Sequence, residues 1–336
     1  MSTVRGRLLA PLAWRVERFL GGRSYAAELI AAVAGFRRHF SRWPNLVRPR
    51  DFSEHMARLM LTLDGRSDLR ARMTDKELVK DIVRARVGDA FVVPTLAVLR
   101  DMAAVDAYAF PADCVVKPTH LSGHVIVRRD GEPAIDRTLV RRWFATNYYD
   151  RCREPVYRNL APKVMVEQRL DDRERFVPLD FKVFCFHSVP AFVQVDEGRF
   201  VEHRRAYYSP GWRRRPFLMQ MPSLDRPVER PRRLDDMLAA AARLSDGMSF
   251  LRVDFYALGD ALKVGELTHF PEAGFTHFDP PVADRIAGRF FREPTLDAER
   301  AFAGLVPLHP QGKKHDGPAD VFLAPLVDEP ADRRPV

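Results

Sequence analysis

Residues 250–278 read FLRVDFYALGDALKVGELTHFPEAGFTHF, and this stretch decides the fold. The pattern predicts two strands, Phe250–Leu258 and Leu262–Phe270, joined by the three-residue loop GDA. Side chains alternate between the two faces of a strand, so the charged residues of the hairpin share one face and the apolar residues share the other. With a three-residue loop, Asp254 lies directly opposite Glu266.

The same pairing sets Arg252 opposite Thr268. Like charges that face each other across strands destabilise a sheet by roughly 0.2–1 kcal/mol, and by more where water is excluded. A divalent cation between Asp254 and Glu266 would reverse that penalty, because Mg²⁺ prefers carboxylate oxygens. The alternative is a solvated surface hairpin with an arginine salt bridge, since most charged strand residues face water. The apolar opposite face, and the Pro and Gly after the second strand, favour the cation site.

Taken together, R-x-D on one strand and E-x-T on the next, followed by Pro and Gly, resemble the metal-binding end of the ATP-grasp ligases. The phrases RVDFY, GELTHFP and DFKVFCF resemble the TupA-like branch of that superfamily, which is named for teichuronopeptide biosynthesis. The resemblance runs from about Phe52 to Gly288. It implies an α+β ATP-grasp fold, with the nucleotide between two antiparallel-sheet subdomains. It also implies ATP as a substrate and Mg²⁺ as a cofactor.

The resemblance implies that the phosphates of ATP are held by lysines from separate segments. Lys76, on a helix that Thr74 is predicted to cap, matches a lysine that leans towards the phosphates, and Lys80 shares its face one turn on. Lys117, at the end of the strand DCVVKP, matches a second phosphate contact. Gly123 in the following loop permits close approach of the backbone to phosphate, although this loop carries histidines where many ligases carry glycines.

The adenosine end of the nucleotide site falls on the segment APKVMVEQRL and the residues after it. Glu167 occupies the strand end where the family has a glutamate that accepts from the adenine amino group, and Gln168 belongs to the hinge beside the ring. Glu174 has the spacing of the acidic residue that holds the ribose hydroxyls, with Asp171 and Asp172 as competitors.

The resemblance also implies the roles of the side chains around the paired acids. Asp254, Glu266 and Thr268 are the metal ligands, with Thr268 standing where asparagine is usual. Arg252 and Lys182 are the catalytic residues. Arg252 stabilises charge that develops on the acyl-phosphate side, and Lys182, on the strand DFKVFCF, contacts phosphate or substrate.

Two connecting segments have no assigned role. Residues 148–155 are predicted to be a polar connection. Residues 199–215 interleave arginines with aromatic residues, a pattern that fits a bound sugar, an acidic polymer, single-stranded nucleic acid or merely an exposed connection in a basic protein.

Positive charge is concentrated at the start of the chain. The net charge is +9, and residues 1–50 hold ten arginines against two glutamates. Two helices, 5–20 and 24–40, are predicted here; they either contact an anionic membrane or polymer or pack on the body of the protein. We expect residues 1–45 to matter for contact with such a surface and to be dispensable for ATP hydrolysis. Nucleic acid is not an expected partner.

The cellular location follows from cysteine usage and from the N-terminus. Three scattered cysteines argue against a disulfide framework and fit a reducing cytoplasm. The apolar run Leu8–Trp14 is too short for a signal peptide, and nowhere do 18 apolar residues follow one another. The expected location is the cytoplasm, at most peripheral to the inner face of the membrane.

The predicted division of the chain is a basic helical lead (1–50), an N-terminal subdomain (51–112), a central ATP-grasp subdomain (113–170), a C-terminal ATP-grasp subdomain with the metal site (171–305) and a Pro-rich tail (306–336).

Family chemistry would convert a carboxylate to an acyl phosphate with ATP and let an amine displace phosphate. The expected substrates are small-molecule or saccharide carboxylates and amines used in cell-surface polysaccharide assembly. One alternative is a kinase-like enzyme that transfers a phosphoryl group without ligation. The other is a non-catalytic nucleotide- or polymer-binding protein that works through its basic lead. The set Lys117, Glu167, Arg252, Asp254 and Glu266 speaks against the second alternative.

Overall fold

The computed structural model describes residues 24–170, 179–198 and 202–306. The predicted helix 5–20, Glu174 and most of the Pro-rich tail lie outside these residues. The helices described are α1 (Tyr25–Phe40), α2 (Phe52–Met60), α3 (Asp68–Thr74), α4 (Val79–Val87), α5 (Met102–Ala107), α6 (Arg137–Ala145), α7 (Tyr148–Cys152), α8 (Leu234–Leu244), α9 (Val282–Arg289) and α10 (Ala298–Ala301). The strands described are β1 (Thr95–Leu99), β2 (Cys114–Pro118), β3 (Ile126–Arg128), β4 (Val164–Glu167), β5 (Asp180–Phe186), β6 (Val189–Glu197), β7 (Arg204–Tyr208), β8 (Leu218–Met219), β9 (Phe250–Leu258), β10 (Ala261–Thr268) and β11 (Phe278–Asp279).

Two antiparallel sheets organise these elements. The central sheet has the strand order β1-β4-β2-β3, and the larger sheet has the order β10-β9-β5-β6-β7. Strands β8 and β11 form a separate pair. The expected α+β architecture with two antiparallel sheets is confirmed. β1 comes from the predicted N-terminal subdomain but pairs with β4, so the boundary near residue 112 stays a prediction.

The larger sheet has one largely apolar face and one mixed face, as strand alternation requires. On the apolar face, Phe181 and Val253 join Met237 and Leu244 of α8 in one buried cluster. The mixed face is aromatic at one end, where Phe52 of α2 packs on Phe250 with ring centroids 5.2 Å apart. Its other end carries charged side chains. Packing on both faces therefore leaves the charged end of the mixed face as the place where a site can form.

The hairpin β9–β10 turns through two residues, Gly259-Asp260, so the predicted three-residue loop is wrong. The structure places Ala261 opposite Leu258 at the turn and inserts a bulge before Glu266. Gly265 occupies the bulge, where a Cβ atom would lie 2.7 Å from the ring of Tyr256. The bulge shifts the register by one residue, which restores the predicted pairing farther from the turn.

Helix α1 packs on the body of the protein through small and aromatic residues. Ala27, Ala32 and Phe36 are buried, and Phe36 contacts Ala57 and Phe275 in a small apolar cluster. Leu29 on another side of the helix is 36% exposed. No helix in the described ranges combines the length and the apolar character that crossing a membrane requires.

Glu28 ties α1 to two other parts of the chain. Its carboxylate is 7% exposed, forms ion pairs with Arg66 and, at 3.1 Å, with Arg158, and accepts a hydrogen bond from the Tyr149 hydroxyl at 2.5 Å. Deleting residues 25–40 would remove this buried carboxylate and uncover the cluster around Phe36. The structure therefore argues against the expectation that all of residues 1–45 are dispensable for ATP hydrolysis.

The segment TDKELVKDIV begins with the end of one helix and not with a cap. Thr74 is the last residue of α3, and its hydroxyl donates to Arg70 O at 2.9 Å. Asp75 accepts hydrogen bonds from Glu77 N at 2.8 Å and Leu78 N at 3.2 Å in the turn before α4. The predicted Thr74 cap is wrong, because the Asp75 side chain accepts the backbone hydrogen bonds before α4. Lys76 therefore lies in a turn and not on a helix.

Asp284 anchors α9 to the start of α2. Its carboxylate accepts hydrogen bonds from Ser53 N at 2.9 Å and from Ser53 Oγ at 2.7 Å. Burial raises the pKa of Asp284 to about 7, although the hydrogen bonds from Ser53 oppose the rise. This carboxyl therefore carries a proton in the folded protein well above the pH at which an unfolded chain releases it.

We expect Asp284→Asn to flatten the pH dependence of stability between about pH 4 and about pH 7. The pKa of Asp284 is about 7 in the folded chain and about 3.9 in an unfolded chain. Its stabilising contribution is therefore complete below pH 4 and is lost as the pH rises to 7. The difference of about three pKa units corresponds to at most about 4 kcal/mol. Melting temperatures measured across this range check the prediction, and parallel curves for the two proteins would contradict it.

Candidate active site

The charged end of the mixed face draws polar side chains from all five strands of the larger sheet. The register pairs these side chains across neighbouring strands, so that the acids Glu266 and Asp254 lie side by side and Lys182 follows Asp254 on the next strand. They lie in two adjacent rows: Glu266, Asp254, Lys182 and Gln194, then Asp180, Asp196 and Arg205.

Lys182 lies at the centre of this charged area. Its side chain is 5% exposed, and its Nζ pairs with Asp180, with Asp254 Oδ2 at 3.1 Å and with Asp196 Oδ2 at 3.6 Å. Burial acts to lower the pKa of Lys182, but the three aspartates outweigh burial and raise it. Lys182 is therefore a cation in the folded protein, held among three carboxylates.

Arg252 forms a bidentate ion pair with Asp254. Its Nε and Nη2 atoms each donate to one Asp254 oxygen at 2.7 Å. Burial acts to raise the pKa of Asp254, but Arg252 and Lys182 hold it below its usual value, so the group is ionised. Nη2 also donates to Thr268 Oγ1 at 2.9 Å. Thr268 thus orients Arg252 in this structure, and its role as a metal ligand stays a prediction.

Glu266 lies opposite Asp254, as the sequence predicts. It is close enough to Lys76 and Glu154 to act on their ionisation. Burial, followed by the charge of Glu266, raises the pKa of Glu154 to about 8. Sequence reasoning missed Glu154, because residues 148–155 were expected to be a polar connection. They instead form α7 and bury Tyr149 and Cys152, and no local pattern in the sequence distinguishes this.

Asp254 and Glu266 offer carboxylate oxygens, which are the ligands that Mg²⁺ prefers. Among the described residues, no group of three or more His, Cys, Asp or Glu side chains is arranged to hold a metal by itself. Two carboxylates suffice where phosphate oxygens and water complete an octahedral set, which is the usual way that Mg²⁺ is held. Asp254 would exchange contacts with Arg252 and Lys182 to bind. The donor set therefore fits a metal that arrives with a nucleotide.

Glu167 ends β4 between two lysines from different elements. Its carboxylate is 3% exposed and pairs with Lys117 Nζ and with Lys80 Nζ, each at 2.6 Å. Burial acts to raise the pKa of Glu167, but the two lysines hold it below its usual value. The structure brings Glu167 and Lys117 together and also pairs Lys80 with Glu167. The signal in the sequence for Lys80 was its position one turn after Lys76. Gln168 beside it is exposed, and its N–H donates to Pro94 O at 3.1 Å.

Lys76 connects the loop after β2 with the larger sheet. Its Nζ donates to Leu121 O at 2.6 Å, and burial lowers its pKa while Glu266 opposes that change. Gly123 in the same loop has φ +79, the left-handed conformation that favours glycine, and a Cβ atom there would touch nothing within 4 Å. Lys76 thus contacts this loop and lies within electrostatic reach of Glu266.

A sequence profile described as TupA-like ATPgrasp matches residues 54–292 of the chain. This protein belongs to the TupA-like ATP-grasp family. Helix α1 precedes the matched residues. No curated protein matches the chain.

Several solved structures share part of this fold. They include the ATP-grasp ligase PsnB complexed with minimal precursor (16% identity, 63% of this chain and 58% of that chain, TM-score 0.34), D-alanine–D-alanine ligase from Bacillus anthracis (17%, 68% and 65%, 0.35) and D-cycloserine synthetase DcsG (20%, 64% and 70%, 0.33). The chain spans less than two thirds of the PsnB structure. Likeness at this level carries no argument about the substrates of this TupA-like ATP-grasp protein.

Sequence reasoning also missed a cluster at the far edge of the larger sheet. Asp196 on β6 pairs with Arg205 Nε at 3.0 Å and accepts from Gln194 Nε2 at 2.7 Å. Gln194 and Asp196 alternate with buried valines, which was a readable signal of a polar face. Arg205 had no such signal, because it falls among the arginines of residues 199–215.

Proposed function

We propose that this protein is an ATP-dependent ligase that joins a carboxylate to an amine through an acyl phosphate and releases ADP. The observation that carries the proposal is the buried Asp254, which lies opposite Glu266 and is in contact with Lys182 and Arg252. Buried charges of this kind destabilise a fold unless they are paired, and they cluster at functional sites. The family of the chain supplies ATP as the expected nucleotide.

The charged groups are distributed as transfer of a terminal phosphoryl group requires. Glu167 at the end of β4 would hold the adenine end, while Lys76, Lys117 and Lys182 would offset the phosphate charge. Asp254 and Glu266 would hold Mg²⁺, whose positive charge would help to offset the charge of the phosphates. Arg252 would stabilise the negative charge that develops as the substrate carboxylate attacks the terminal phosphorus and ADP leaves. The neutral amine nitrogen then attacks the acyl carbon, phosphate leaves with the bonding electrons of the acyl C–O bond, and the proton that nitrogen loses passes to the departing phosphate or to water.

The substrate class follows from the family resemblance. We propose a carboxylate in a cell-surface polysaccharide or its precursor, such as an uronic acid, and an amine such as an amino acid or amino sugar. Such precursors are assembled where ATP is available, which fits the cytoplasmic location that three free cysteines favour. Glu174 remains the proposed ribose contact, and Gln168 a proposed hinge contact.

Residues 1–45 are proposed to add peripheral contact with an anionic membrane or polymer. Deleting residues 1–23 removes five arginines and leaves α1 in place. We expect the shortened chain to sediment less with anionic vesicles than the full chain does. The difference should be largest at low salt, because at physiological salt charge interactions are screened beyond roughly 8–10 Å. Equal sedimentation of the shortened and full chains would end this proposal.

The reaction type is tested by the nucleotide product. We expect incubation with ATP, uronic acids and amino acids to release ADP and inorganic phosphate, with full turnover only when both a carboxylate and an amine are present. The reason is that the paired acids Asp254 and Glu266, together with Lys182 and Arg252, would meet the charge of the terminal phosphate. Chromatography of the nucleotides measures this. AMP as the main product would exclude the mechanism, and ADP with a stable phosphorylated sugar would favour the kinase-like alternative.

A further inference from the structure

Three successive residues of the loop after β10 have a left-handed backbone. The φ angle is +51° at Glu272, +51° at Ala273 and +79° at Gly274. Only glycine adopts this conformation without strain, because a Cβ atom crowds the neighbouring carbonyl oxygen. The loop Pro271–Gly274 therefore keeps its shape only if surrounding contacts outweigh that strain.

Arg205 on β7 makes a contact of this kind. Its side chain is 6% exposed, and its Nη2 donates to Glu272 Oε1 at 2.9 Å. The same guanidinium is held by Asp196 through Nε at 3.0 Å and by Met219 O through Nη1 at 3.3 Å. A planar group fixed at three points is a rigid support, so the Glu272 carboxylate is held in one place.

The Arg205–Glu272 pair is linked to the proposed catalytic residues. Asp196, which holds Arg205, lies 3.6 Å from Lys182 Nζ, and Lys182 in turn lies 3.1 Å from Asp254. Burial acts to raise the pKa of Glu272, but Arg205 and then Arg252 hold it below its usual value. The loop is therefore within electrostatic reach of Arg252, at the end of the site where the acyl phosphate would form.

We infer that Arg205 is a positioning residue that fixes the loop Pro271–Gly274 for the amine substrate. The inference rests on the proposed ligase function, in which the amine attacks the acyl phosphate beside Arg252. Arg205 acts through Glu272, whose left-handed backbone it maintains. The alternative role for Glu272 is direct recognition of a cationic amine by its carboxylate, and substitutions at this one position separate the two roles.

Glycine and alanine at position 272 give opposite results if the backbone conformation is what matters. Both remove the carboxylate, but only glycine adopts φ +51° without strain. We expect Glu272→Ala to raise the KM for the amine by about tenfold, because misplacement of a substrate-facing loop disrupts alignment. We expect Glu272→Gly to stay within about threefold of the wild-type KM. Equal impairment of the two variants would overturn the inference in favour of direct charge recognition.

The role of Arg205 is tested in the same assay against a neighbouring arginine. Arg204 pairs with Glu202 and Asp225 on the exposed side of β7, so Arg204→Met is the matched control. We expect Arg205→Met to raise the KM for the amine by about tenfold, with the kcat and the Kd for ATP within about twofold of wild type. Adding Glu272→Gly to Arg205→Met should recover most of the loss. A double variant as impaired as Arg205→Met would overturn the inference.

Hydrogen exchange gives a measurement that needs no turnover. Phe275 N donates to Glu272 O at 3.0 Å within the loop, so exchange of this amide reports whether the loop keeps its shape. We expect exchange about tenfold faster in Arg205→Met and Glu272→Ala, and unchanged in Arg204→Met. If the wild-type chain joins no carboxylate to an amine, the proposed function fails and the exchange rates alone decide the inference. Unchanged exchange in Arg205→Met would overturn it.

Discussion

Glu266→Gln and Asp254→Asn are each expected to lower ATP turnover by a factor on the order of 10²–10³. Each change replaces a carboxylate with a neutral amide and so halves the charge that the two opposed acids offer to a magnesium ion. Asp254→Asn also weakens the grip on Arg252 and Lys182, so it should lower the melting temperature, whereas Glu266→Gln should not. Steady-state turnover and thermal melts measure both effects.

Asp260→Asn is the matched control, because Asp260 lies at the exposed turn of the same hairpin. Titration calorimetry of ATP with and without Mg²⁺ separates loss of the metal from loss of the fold. If magnesium-dependent binding of ATP is the same in both variants and in wild type, the assignment of Asp254 and Glu266 to a metal is wrong.

Lys182→Met is expected to destabilise the fold by about 3–5 kcal/mol, since removing one partner of a buried ionic cluster leaves the opposite charges uncompensated. Asp180, Asp196 and Asp254 all pair with this one ammonium group. ATP turnover should fall by about 100-fold or more in the fraction that stays folded, because the phosphate charge loses a preorganised cation. Urea unfolding and turnover are the two measurements.

Lys263→Met serves as the control for Lys182→Met. Lys263 lies on the adjoining hairpin, and its Nζ donates to the carbonyl oxygens of Ala90 and Val92. Loss of these bonds should cost little, because no carboxylate is left without its charge. A fall in unfolding free energy for Lys182→Met no greater than for Lys263→Met would show that the three aspartates do not depend on Lys182.

Local pattern was sufficient for the hairpin and for the faces of its strands. Alternation in RVDFY and GELT placed Arg252, Asp254, Glu266 and Thr268 on one face, and the structure has them there. The predicted pairing was reached through the wrong turn, because two deviations cancel: the turn is one residue shorter, and a bulge at Gly265 adds one residue. Gly265 suits the bulge because a Cβ atom there would lie 2.7 Å from the ring of Tyr256, a contact that local alternation does not reveal.

The larger part of the site depends on contacts between distant segments. Glu154 acquires its raised pKa only because α7 and the residues around it are buried beside Glu266. Lys80 reaches Glu167 across 87 residues of chain, and Arg205 reaches Glu272 across 67. These pairings are set by the order in which strands join the two sheets, and strand order is not a local property.

The resemblance to the ATP-grasp ligases implied the α+β class, and the local pattern of the sequence determined the hairpin with its opposed acids and which side chains share its charged face. Those features depend on alternation over a few residues, so neighbours in the chain are enough to specify them. Tertiary structure alone decided three sets of ion pairs: that of Glu28 on α1 with Arg66, those of Lys182 with three aspartates, and that of Arg205 with Glu272 in the left-handed loop. The physical reason is that a buried charge is tolerated only where other segments supply its partners, and those partners are chosen by packing and not by spacing along the chain.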